Sequence, residues 1–102
     1  MLNKNDKITL ISVHRTQDSD GFSIENETAS EVWGCLDSIT GTEFYQSGLL
    51  GIQPSLRATV WLSEYKDQTM CEVEGKRHRI YRTYKRNNDE IELYMEERGG
   101  VK

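Results

Sequence analysis

The sequence is poor in the residues that build several large classes of protein. It holds two cysteines, Cys35 and Cys71. Two cysteines do not make the disulfide framework of a small secreted domain, and no signal-peptide pattern precedes them. The expectation is synthesis in a reducing cytosol with both thiols free. Proline occurs once, at Pro54. No apolar run approaches the roughly 20 residues that a membrane-spanning helix needs, so no membrane partner is expected. Hydrophobic residues as a whole are scarce, at 35% against 29% charged. Such a balance means a thin core, a heavily charged surface, or burial completed by partners.

What is present fits one domain over 1–102, too short to spare residues for a deep catalytic cleft. The net charge of −4 gives no bulk attraction to DNA or to an anionic membrane. The charge is uneven, however. Lys76, Arg77, Arg79, Arg82, Lys85 and Arg86 crowd one segment, and Asp89, Glu90, Glu92, Glu96 and Glu97 follow at once.

Strand signals dominate the chain. Lys7 to His14 is rich in β-branched residues, with apolar side chains on both faces, which suits a strand covered on two sides or one with a bulge. Thr16 to Gly21 is a polar turn-forming stretch that opens a hairpin or a mobile loop. Thr28 to Thr40 predicts a second long strand, in which Gly34 marks a bend or bulge. Leu56 to Leu62 alternates cleanly, with Leu56, Ala58, Val60 and Leu62 on one face and Arg57, Thr59 and Trp61 on the other. Thr69 to Glu74 and Arg77 to Tyr84 flank Gly75-Lys76 as a tight hairpin. Asn87-Asn88-Asp89 is the next turn, the run Ile91, Leu93, Met95 is the last strand, and Gly99-Gly100 begins a frayed tail. The expected fold is all-β, a small antiparallel barrel or sandwich.

Gly41 to Leu56 differs from the rest. It carries Gly41, Gly48, Gly51 and Pro54, with Thr42 suited to cap a short helical turn over Glu43 to Ser47 and Gly48 suited to end it. A long glycine-rich loop between the second and third main strands is expected, mobile in the isolated chain. Such loops in compact domains are functional or disordered. Its apolar residues, Phe44, Tyr45, Leu49, Leu50 and Ile52, are too many for a merely solvated loop.

Signatures of reactive chemistry are few. His14, Cys35, Cys71 and His78 lack the local pairing of a metal site, so no metal is expected, and the two cysteines are taken as small core residues. No nucleophile elbow or Cys-His signature frames the serines and acids, and Gly48-Leu49-Leu50-Gly51 lacks the lysine of a phosphate loop. No catalytic residue and no cofactor are expected. Period two places Arg77, Arg79, Tyr81, Thr83 and Lys85 on one face of their strand. Aromatics among cations can stack bases and hold phosphates. The weightier alternative is that the glutamates after Ile91 pair with these arginines across the sheet. Lys76, Arg77, Arg79 and Lys85 remain a candidate basic contact face, and a small nucleic-acid-binding barrel using 76–86 is the alternative function.

Four segments carry a family resemblance when taken in order. Asp6-Lys7-Ile8-Thr9-Leu10 opens the chain. Glu43-Phe44-Tyr45-Gln46 runs into Gly48, Gly51 and Pro54. The segment Glu74 to Tyr84 follows, and Ile91-Glu92-Leu93-Tyr94 closes the series. Together they resemble the head-closure proteins of tailed phages, also called head–tail joining proteins or stoppers, in the form found in phages and prophages of Gram-positive bacteria. His78 departs from the family, which more often has tyrosine there, and Arg79 beside it adds positive charge. The resemblance implies a small β-barrel that forms a homo-oligomeric ring below the portal and adaptor proteins. Such a ring closes the DNA channel after packaging and gives tail-completion or tail-tube proteins their docking surface. It implies a channel-gating loop at the stretch holding Glu43, Phe44, Tyr45, Gln46, Gly48, Leu49, Leu50, Gly51, Ile52 and Pro54. It implies action in the bacterial host cytoplasm during assembly and in the virion neck afterwards, with packaged DNA met only indirectly.

Overall fold

The computed structural model describes residues 4–97. The expected fraying from Gly99-Gly100 and the first three residues of the polar start lie outside the described residues. Six antiparallel strands form a closed barrel in the order β1-β2-β3-β6-β5-β4, with β4 returning to β1. Their ranges are β1 Asp6–Gln17, β2 Ser23–Asp37, β3 Pro54–Trp61, β4 Met70–Val73, β5 Lys76–Lys85 and β6 Glu90–Glu97. A helix α1, Gly41–Gly48, lies between β2 and β3, and a single 3-10 turn, Leu62–Glu64, follows β3.

Alternation builds the core. Ile8 and Leu10 of β1, Ala58 and Val60 of β3, Cys71 and Val73 of β4, and Ile91, Leu93 and Met95 of β6 turn inward, joined by Val32 and Ile80. Each of the buried Val, Leu, Ile and Met side chains contributes roughly 1.5–3 kcal/mol by leaving water. Ile11, on the other face of β1, is buried as well but stands outside this cluster. The first strand is therefore covered on both sides where Leu10 and Ile11 meet.

Gly34 produces no bulge. The β1–β2 and β2–β3 registers run through it unbroken, pairing it with Asp6 and with Val60. A Cβ there would stand 2.7 Å from Ile8 Cδ1 and 2.8 Å from both Thr59 O and Val60 Cγ1. Its role is close approach of backbone and core rather than a bend.

Positive φ occurs in two hairpin turns, at Gly21 in the β1–β2 turn and at Glu74 and Gly75 in the β4–β5 turn. Val73 pairs with Lys76, so the β4–β5 turn is Glu74-Gly75, with φ of 53° and 81°, one residue earlier than expected. Those angles are what a two-residue hairpin of matching twist requires. At the β1–β2 turn, Asp18 Oδ1 accepts from the backbone N–H groups of Asp20 and Phe22, both at 2.9 Å.

That hairpin extends far beyond the barrel. Strand β1 meets β4 only over Thr9–Ile11, and β2 meets β3 only over Gly34–Asp37. Residues His14–Gln17 and Ser23–Asn26 are all exposed and pair only with each other, and Glu27–Glu31, also exposed, pair with Val13–Thr9 at the base of the arm. The arm stretches the molecule to 50 × 31 × 24 Å, with a radius of gyration of 14.9 Å. A compact chain of this length has about 13 Å.

Two bulges complete the fold. One lies in β3 between Pro54 and Leu56 and the other in β5 between Ile80 and Arg82.

Candidate interaction surface

The stretch 41–56 is not one loop. Its first half is α1 and its last residues already belong to β3, which begins at Pro54. The capping residue is Thr40 rather than Thr42: Thr40 is extended, and its Oγ1 accepts from Glu43 N at 3.2 Å. The helix ends at Gly48, as its glycine suggested. A tight turn follows, with Leu50 N and Ile52 N both donating to Ser47 O at 3.0 Å and Gly51 at φ +81°.

A polar clamp holds α1 to the barrel. The Glu43 carboxylate accepts from Ser47 Oγ at 3.0 Å, Tyr81 OH at 2.9 Å and Arg82 Nη2 at 2.6 Å. Burial alone would raise the Glu43 pKa. The bonds from Arg82, Tyr81 and Ser47 outweigh it and hold the carboxyl below its usual range. Burial, with Glu43 beside it, pushes the Tyr81 phenol up to about 12. Arg82 also lies 4.0 Å over the ring of Tyr94, whose ring is 6.4 Å from that of Tyr81. The expected mobility of this segment in the isolated chain meets a structure in which its first half is helical and clamped.

The bulge at Tyr81 makes this clamp. On β5, Ile80 lies opposite Met95 and Arg82 opposite Tyr94. One residue is skipped, so Arg82 and Tyr84 join Arg77 and Arg79 on the outer face, while Thr83 and Lys85 face the side of Leu93 and Ile91. The simple period-two assignment of Thr83 and Lys85 to the outer face with Arg77 is thereby corrected.

The apolar side chains of α1 and its turn face water. Phe44 is 57% exposed and Leu50 79%, with Tyr45 and Leu49 between them in exposure. An open cleft of about 910 Å³ runs beside Phe44 and Ile52 and is edged by Glu96 and Glu97. Gln46 is exposed on the helix.

The basic strand is largely neutralised. Arg77 makes a two-point pair with Glu27 at 2.7 and 2.9 Å. Arg79 Nε donates to Glu96 at 2.7 Å, and Lys76 lies 3.8 Å from Glu97. Lys85 is exposed. Cross-strand pairing with the acidic strand thus accounts for Lys76 and Arg79, and the arm accounts for Arg77.

The four metal-type residues do not gather. His14 is exposed on the arm, and Cys35 is half-buried on the outer face rather than in the core. Cys71 and His78 face each other across β4 and β5 inside the barrel. His78 Nδ1 is 3.1 Å from Lys76 O, and Cys71 Sγ is 2.8 Å from Met95 Sδ. Burial pushes the Cys71 thiol up to about 12. Both cysteines are free.

A second exposed group, which the sequence did not join together, is the pair Trp33 and Trp61 with Tyr84. All three are exposed on the outer face of the barrel. The available signal was Trp61 on the polar side of an alternating strand.

The fold and surface define the class: a small closed antiparallel β-barrel with a projecting two-stranded arm and two exposed apolar regions. No family model matches the sequence, and no curated protein matches it. Among solved structures, the chain is similar to the solution structure of protein SF1141 from Shigella flexneri 2a, a structural-genomics target. The TM-score is 0.68 at 20% identity, covering 96% of this chain and 95% of that one. The likeness is one of fold.

Proposed function

We propose that the chain is a structural connector subunit of a tailed phage or prophage. It assembles as a ring below the portal and adaptor proteins, closes the DNA channel after packaging and presents the surface on which the tail docks. The role is one of assembly rather than catalysis.

The observation that carries this proposal is the α1 segment. Phe44, Tyr45, Leu49 and Leu50 face water on an element that lies outside the core cluster of the barrel. Exposed apolar side chains grouped on one short segment mark a surface made for another protein. The clamp at Glu43 supports the same view, because it holds the segment in a fixed pose without burying those side chains. Preorganised surface of this kind reduces the entropy lost on association. The alternative, nucleic-acid binding through 76–86, draws less support: Lys76, Arg77, Arg79 and Arg82 already face Glu97, Glu27, Glu96 and Glu43.

The test uses DNA-filled heads that lack this protein. Adding the purified chain should make them retain DNA and accept tails. Heads that stay leaky and tailless would refute the proposal, and tight binding of free oligonucleotides at physiological salt would favour the alternative.

A further inference from the structure

Inside the barrel, three side chains with soft or basic lone pairs meet, and the connector reading makes no use of them. Cys71 of β4 lies directly opposite His78 of β5. Side chains paired in this way have their Cβ atoms about 4.5–5.5 Å apart on one face of the sheet. That face is the inner one, because Cys71 is fully buried and His78 is 4% exposed. His78 lies opposite Glu97 of β6 and Ile80 opposite Met95, so Met95 is a diagonal neighbour of His78. A diagonal neighbour is within reach of a long side chain. Cys71 and Met95 meet across β5, with Sγ and Sδ 2.8 Å apart.

The histidine offers a lone pair. Lys76 O, 3.1 Å from Nδ1, can only accept, so Nδ1 carries the proton. The neutral imidazole in this tautomer keeps its lone pair on Nε2. Nε2 has no partner among the described residues. Among the same residues, the fully buried side-chain nitrogen or oxygen that lacks a partner is Arg57 Nε. Nε2 therefore keeps a contact with solvent, which gives an ion its way in.

A thiol, a thioether and an imidazole form a soft ligand set, of the kind that selects copper(I). Charge points the same way. Burial pushes the Cys71 thiol up to about 12, so a thiolate without a counter-ion is disfavoured there. A monovalent cation neutralises it and leaves the core without net charge. Zinc(II) would leave a net positive charge, and its structural sites take four ligands rather than three.

We propose that Cys71, Met95 and His78 form a binding site for one copper(I) ion inside the barrel. On binding, the Cys71 S–H bond breaks, a Cu–S bond forms and the proton passes to water. Met95 Sδ and His78 Nε2 each donate a lone pair, and the copper stays in the +1 state. The two sulfurs must part to admit the ion, which the unbranched Met95 side chain allows. A thiol reagent gains nothing from this exchange, because it needs a thiolate already formed. The ion ties β4 to β6 across β5. Strand β4 has four residues and joins β1 only over Thr9–Ile11, so the tie falls where the barrel is closed by its shortest ladder.

The probe is copper(I) supplied as its acetonitrile complex without oxygen, and the chain is C35S, which removes the outer thiol. Native mass spectrometry should show one copper on C35S and none on C35S/C71S. The melting midpoint should rise with copper for C35S and stay fixed for C35S/C71S. M95L and H78Q in the C35S background should each weaken binding by about 100-fold or more, since loss of a mere outer-shell partner costs about 10–100-fold. A C35S chain labelled with 13C at its methionine methyls covers failure of a variant to fold. Of its three methionines, Met95 should show the largest shift on adding copper. Copper that C35S does not hold, that C35S/C71S holds equally well, or that leaves the Met95 signal in place overturns the site. Zinc(II) held by C35S as tightly as copper(I) overturns the choice of ion.

Discussion

Glu43 shows how one side chain can decide the pose of an element. Its carboxylate is the shared acceptor for Ser47, Tyr81 and Arg82, and the last two lie on β5. The Glu43 pKa is lowered, so its contribution is present above its ordinary range and is lost only as pH falls through the lower, folded value. The Tyr81 pKa is raised from 10.0 to about 12. Its neutral form is the one that donates to Glu43, so that contribution holds below pH 10 and is lost as pH rises through about 12. Burial raises Tyr65 and Tyr94 as well, so an alkaline titration followed by phenolate absorbance should show a late-titrating group that loses one tyrosine in Tyr81→Phe. If Tyr81→Phe took its phenol from the part of the curve near pH 10 instead, the clamp would be wrongly drawn. Nothing in the sequence marked this role for Glu43, because its β5 partners are 38 and 39 positions away. The thiols were more legible. Burial and a pKa near 12 make Cys71 inert, whereas Cys35 is half-buried and closer to solvent. A thiol reagent should modify one cysteine per native chain, and Cys35→Ser should abolish that reaction. Rapid modification of both would mean that the barrel opens far more readily than this packing implies.

At the scale of the element, strand alternation was enough to locate β3 and β6, because apolar and polar residues change places at every step. It failed on β5 after Ile80. A bulge adds one residue and exchanges the faces, and Tyr81 carries no glycine or proline to announce it. Gly34 failed in the opposite sense, since a glycine in a strand serves either a bulge or a close approach, and only the neighbours decide. With Ile8 and Val60 carbons at 2.7 and 2.8 Å from the missing Cβ, Gly34→Ala should destabilise the fold by roughly 1–3 kcal/mol. Denaturant melts check this, and an unchanged midpoint would show that the neighbours yield without strain. The helix was half legible. Both Thr40 and Thr42 are able to cap, and the backbone entering Gly41 decides for Thr40. Thr40→Ala should weaken α1 by about 1 kcal/mol, read as faster exchange of the Glu43 and Phe44 amides, with the barrel amides unmoved. Thr42→Ala should leave those amides as they were.

At the scale of the whole molecule, the long dimension belongs to the β1–β2 arm. The turn was legible in Thr16 to Gly21, but the length of the ribbon was not. Its residues are polar and alternate weakly, so no periodicity showed that pairing continues from Gly34 out to Ser23. A two-stranded ribbon is marginal by itself in water. This one is braced at its base by the barrel register and by the pair of Arg77 with Glu27, which is exposed and thus worth little in stability. Removing residues 14–26 and joining Val13 to Glu27 through Asn-Gly should therefore leave the barrel folded. The core cluster lies wholly outside the excised stretch. The radius of gyration should fall from 14.9 Å toward the value of about 13 Å for a compact chain, as small-angle scattering would show. The melting midpoint should change little, because the excised residues bury almost nothing. In the connector reading, the trimmed chain still presents the α1 segment. It should still associate with other copies, so any loss of tail joining would then fall to the arm alone. Collapse of the barrel on trimming would mean instead that the ribbon nucleates the β1–β2 register, and the arm would have to be counted as part of the fold rather than as an appendage to it.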